Sequence, residues 1–136
     1  MKGVRSQFAI EYVVIVSFAL LALIPLLFIY GSEKSAVEMR VNANQAHLLA
    51  RKIVDSAETV YYLGEPSKTT LKVYMPKNID AIIITEKELV FRMKWQGETT
   101  DITQQSQVNL SGSLSPHAGI RYISITATDT GVIIDD

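Results

Sequence analysis

Glu11 is the residue in this chain whose chemistry is hardest to explain as ordinary packing. It follows the basic stub Met1–Ser6 and stands at the head of an apolar run that continues to Tyr30. A charge on a membrane helix costs about 2.5–3.5 kcal/mol at the bilayer centre on insertion scales, and less near an interface. Such a carboxylate calls for a cationic partner. A cut between Ser6 and Gln7 would supply one, because the new α-ammonium of Gln7 would lie one helical turn from Glu11 on the same face. When such helices lie side by side, Glu11 of one chain can pair with the amine of a neighbour. A buried pair of this kind is better suited to setting axial register than to adding stability.

Other candidate chemistry is sparse. Asn109-Leu110-Ser111 is an N-glycosylation sequon, with Asn109 as the acceptor if that part of the chain lies outside the cell. His47 and His117 stand apart from any clustered carboxylate, and the chain has no cysteine, so no metal site, thiol chemistry or disulfide framework is expected. There is no Ser/His/Asp set, Gly-rich phosphate loop or H-E-x-x-H pattern, so the expectation is of no enzyme and no cofactor. The formal net charge is −1. Loss of Lys2 and Arg5 would leave 11 of the 13 bases against 14 acids, near −3, which argues against a nucleic-acid partner. Asp135 and Asp136 read as a solvated tail.

Three kinds of element must position these groups. Tyr12–Tyr30 is nineteen residues without a charge, against about 20 needed to span a bilayer and 7–15 in a cleaved signal core. Lys2 and Arg5 precede it with no acid between them, which places the N-terminus in the cytoplasm and everything after Gly31 outside. The helical pattern then continues. Glu33–Leu63 has no Pro or Gly, and Ala46, Leu49, Ile53, Ala57 and Val60 form one apolar stripe, with Arg51, Lys52, Asp55 and Glu58 between them. Gly64 and Pro66 end it. An unbroken helix over Gln7–Leu63 would be about 85 Å long, with Pro25 as a kink or loosened turn.

From Ser67 the period changes to two. Leu71, Val73 and Met75 alternate with Lys72 and Tyr74, and Leu89, Phe91, Met93 and Trp95 alternate with Val90, Arg92 and Lys94. Ile82–Ile84, Arg121–Ala127 and Val132–Ile134 complete the pattern, separated by turn signals at Pro76–Asn78, Glu86–Glu88, Gln96–Glu98, Ser115–His117 and Asp129–Gly131. The expectation is an α+β fold: four to six short antiparallel strands wrapped on the upper half of the long helix. A segment of this size without disulfides needs a helix to lean on.

Gln7, Ala9, Glu11 and Ile15, behind Lys2-Gly3-Val4-Arg5-Ser6, resemble the class III signal peptide of archaeal type IV pilins, whose pattern is Gln-x-Ser-x-Glu-x-x-x-Leu. Ala9 and Ile15 are mild departures from it. The run from Gln107 to Gly119 more loosely resembles the last third of small proteins of that group. The N-terminal resemblance covers about 25 residues. It implies a leader over 1–6 removed by a prepilin peptidase between Ser6 and Gln7, and a pilin helix over 7–63. That helix is apolar over 7–31, for the membrane and then the filament core, and amphipathic over 32–63. An extracellular β domain covers 64–136. The resemblance further implies a homopolymeric extracellular pilus for adhesion and surface attachment, built by an assembly ATPase and membrane platform, with Gln7 and Glu11 setting register. Two alternatives stay open on the residues alone: a single-pass anchor carrying an extracellular binding domain, and a pseudopilin of a secretion or uptake system.

Overall fold

The computed structural model describes the backbone of residues 2–95 and 97–136, and the side chains of these apart from residues 2–9 and 31–36. The first element is a helix, α1 (Lys2–Leu63), which continues through Pro25. Seven strands follow: β1 (Lys68–Met75), β2 (Ile79–Ile84), β3 (Glu88–Trp95), β4 (Glu98–Gln105), β5 (Leu110–Ser113), β6 (Gly119–Ala127) and β7 (Val132–Asp135). The fold is therefore α+β. Contacts divide the chain into two compact units, Met1–Glu38 and Met39–Asp136.

In the second unit the apolar stripe of α1 is the centre of the core. Ala46, Leu49, Ala50, Ile53, Val54, Ala57 and Val60 are all buried, while Arg51, Lys52 and Asp55 between them are exposed. Three of the buried seven are alanines. α1 ends where Gly64 takes a positive φ of 81° and its N–H donates to the Tyr61 carbonyl at 2.9 Å. That left-handed turn is inexpensive only for glycine.

The strands form two sheets. One has the order β1-β6-β7-β5 and the other is the meander β2-β3-β4. β1 and β6 are antiparallel over eight pairs, from Lys68 opposite Thr126 to Met75 opposite Gly119. The inward phase of each strand supplies the core: Val73 and Met75, Leu89, Phe91 and Met93, Ile123 and Ile125, Val132 and Ile134. Phe91 is the largest fully buried side chain.

Two features depart from the expectation of four to six antiparallel strands. Among the described residues there are seven, and β5 runs parallel to β7, from Leu110 opposite Val132 to Ser113 opposite Asp135. The seam between β5 and β7 depends on missing side chains. A Cβ on Gly112, at φ 115°, would overlap the Ile134 carbonyl oxygen, and one on Gly131 would overlap the Asn109 carbonyl oxygen. Strand β4 escapes the alternation rule because Ile102, opposite Phe91, is its single apolar residue.

Across β3 and β4, Arg92 donates from Nε and Nη2 to the two carboxylate oxygens of Asp101, both at 2.9 Å. These hydrogen bonds, aided by the attraction of the guanidinium, hold the Asp101 carboxyl below the usual carboxylate range. The lowered value means that whatever the pairing contributes is present at neutral pH and is lost only as pH falls through that value. Arg92→Gln is expected to return the Asp101 carboxyl upward to the ordinary range. A carbon-detected NMR titration of that carboxyl against wild type checks it.

Candidate functional site

The chemistry expected at the N-terminal end rests on Glu11. The backbone is helical from Lys2 onward, so positions 7 and 11 are one turn apart. Ser6 and Gln7, the expected cleavage pair, lie outside the residues whose side chains are described. Glu11 is exposed, and among the described residues it joins no ion pair. After it, Tyr12–Tyr30 carries no charged residue. Ile10–Tyr30 is long and apolar enough to cross a membrane, and no part of it is buried inside the chain. Ile10, Tyr12, Val14, Ile15 and Phe18 are each more than half exposed. A helix that is apolar all round is stable only where something else covers it, either lipid or other helices. Glu11 is the one acid within Ile10–Tyr30.

The sequon has a structural occupation that its pattern does not announce. Asn109 is exposed, and its Nδ2 donates to the Thr130 carbonyl at 3.2 Å. The Ser111 hydroxyl donates to the Val132 carbonyl at 3.1 Å, and the Val132 N–H donates to the Asn109 carbonyl at 2.8 Å. All three bonds stitch β5 to the segment leading into β7. Both polar side chains of the motif therefore serve the parallel seam. One amide hydrogen of Asn109 is used in this way, and the other is left over.

His47 is exposed on α1 and His117 is exposed in the loop before β6. Among the described residues, no group of three or more His, Cys, Asp or Glu side chains comes together. A shallow groove between the end of α1 and the start of β1 is lined by Ser56, Thr59, Val60, Leu63 and Ser67–Thr69, and offers no carboxylate, imidazole or thiol.

One surface was not legible from the motifs. On the outer face of the larger sheet, Tyr74, Ile120 and Tyr122 are each more than half exposed, with Tyr74 directly opposite Ile120 and Lys72 opposite Tyr122. The Lys72 ammonium stands 5.8 Å from the centre of the Tyr122 ring. The alternation does carry the signal: Tyr74 falls on the solvent phase of its strand, where an aromatic residue is out of pattern. No protein-family model, curated protein or solved structure matches this chain.

Proposed function

We propose that this chain is the structural subunit of an extracellular filament of the archaeal type IV pilus kind, used for adhesion and surface attachment. The observation that carries this reading is an exposed acid, Glu11, on a helix otherwise fitted for full burial. In the proposal, a prepilin peptidase cuts between Ser6 and Gln7 in the membrane, and the apolar helix stays on the mature protein. The Gln7 ammonium of one subunit then pairs with Glu11 of the next. Two groups that would each be expensive to bury alone become one pair, and the pair fixes the step between subunits. The second unit, Met39–Asp136, forms the filament surface.

Lipid is as apolar as a helix bundle, so hydrophobicity gives no strong net drive out of the membrane. Assembly in this reading therefore requires outside work, from a cytoplasmic ATPase acting through a membrane platform. Mass spectrometry of the N-terminal peptide from cell-surface material tests the cut. The expected mature protein begins at Gln7. A chain still beginning at Met1 or Lys2 would reduce the protein to a membrane tether for its β domain.

A further inference from the structure

Four strands lie at sheet edges: β1 and β5 in the larger sheet, β2 and β4 in the smaller. Sheet edges are open templates for pairing, and natural proteins usually guard them with lysine, proline, bulges or a covering segment. β1 carries exposed Lys68 and Lys72. β2 and β5 are neighbours, and the Leu110 N–H donates to the carbonyl of Glu86, in the turn after β2, at 2.9 Å. β4 has none of these guards. Its eight residues hold no Lys, Arg or Pro, and it pairs with β3 over eight positions without a bulge. Thr99, Thr100, Asp101, Thr103 and Gln105 are exposed, and the charge of Asp101 is already matched by Arg92.

The hydrogen-bond directions show which groups are open. The Lys94 N–H points away from β4, to the Asn78 carbonyl at 3.0 Å, and the Ser106 N–H points toward β3, to the Lys87 carbonyl at 2.8 Å. Directions alternate along a strand. The backbone groups of Thr99, Asp101, Thr103 and Gln105 therefore face the open edge.

We propose that β4 is an interface between two copies of this chain, paired antiparallel with Ile102 opposite itself on a twofold axis. In that register Asp101 faces Thr103, Thr100 faces Gln104 and Thr99 faces Gln105. No like charges meet, and all four open residues fall in hydrogen-bonded pairs. Centring on Asp101 instead would oppose two carboxylates directly, which is destabilising. Centring on Thr103 would shorten the ladder. The register also covers Ile102, which is only half-buried beside the core. Such an isologous contact closes at two copies.

The absence of native cysteine makes the test direct. The full chain carrying Thr99→Cys and Gln105→Cys is oxidised mildly in detergent micelles and run on a non-reducing gel. Opposed hydrogen-bonded residues have Cα atoms about 5.5 Å apart, inside the disulfide range of about 4.4–6.8 Å. Within one chain the two thiols are about 20 Å apart along the strand and cannot join. The expected result is at least about tenfold more cross-linked dimer than Gln105→Cys alone gives, because the facing thiols are at high effective concentration. Gln105→Cys alone also measures collisions caused by apolar helices sharing a micelle. Adding Thr103→Pro, which removes an N–H unused inside the protomer, is expected to return cross-linking to that background. Equal dimer from the single and double variants overturns the proposal, as does cross-linking that survives Thr103→Pro.

Discussion

Cells carrying Glu11→Ala are expected to present no surface filaments, while the substituted chain still accumulates in the membrane with its sheets folded. If the Gln7 ammonium is buried against a neighbouring helix, removing its carboxylate strands a positive charge, and breaking a buried pair by deleting one partner costs about 3–5 kcal/mol. At about 1.4 kcal/mol per tenfold, subunit addition weakens by at least about two orders of magnitude. Insertion into lipid does not suffer, since the helix has lost its one internal charge. The β domain has no reason to respond either: Glu11 belongs to the unit Met1–Glu38, and the core is built from Ala46 onward. Electron microscopy of whole cells, with the sheared surface fraction and a thermal melt of the purified chain, checks all three parts. Filaments at wild-type density would remove the central support for the pilin reading.

Phe91→Ala is expected to have the largest effect on stability. The side chain is fully buried and lies opposite Ile82 on one side and Ile102 on the other. Phe-to-Ala changes in cores typically cost about 3–5 kcal/mol, combining lost transfer energy with the cavity left behind. A domain with about 5–15 kcal/mol in total is brought close to unfolding by such a loss. Without cysteine, no covalent cross-link limits the damage. A denaturant melt should show a large drop in midpoint, and Phe91→Leu should lose much less because it keeps most of the volume. The helical signal from Ile10–Tyr30 in micelles should persist in both variants.

Much of this architecture can be read from periodicity. The stripe of α1 and the alternation in β1, β3 and β6 were visible because one face of each is buried against the same core, so apolar residues recur at the element's own period. The end of α1 was equally plain in Gly64 and Pro66. Elements without that constraint were hidden. β4 is an edge strand with a single residue against the core, so Glu-Thr-Thr-Asp-Ile-Thr-Gln-Gln carries no alternation to read. β5 is four residues long, and its pairing with β7 depends on Gly112 and Gly131 admitting backbone where a side chain would stand. Local sequence says little about which distant strand fills that space.

The candidate site divides in the same way. Glu11 stands out in sequence because a charge in an apolar run is conspicuous, whereas the use of Asn109 and Ser111 as stitches in the seam is a matter of long-range contact. The aromatic face around Tyr74 and Tyr122 lies between these cases, since its phase was readable and its cross-strand neighbours were not.

The place of β7 in its sheet bears on how the protein is made. Val132–Asp135 lies between β6 and β5, both of which precede it in the chain. Until that stretch has emerged during synthesis, β6 and β5 have no bridge, and the hydrophobic groups Val132 and Ile134 are missing from the interior. The four-stranded sheet becomes continuous only when β7 has entered the gap between two strands made before it.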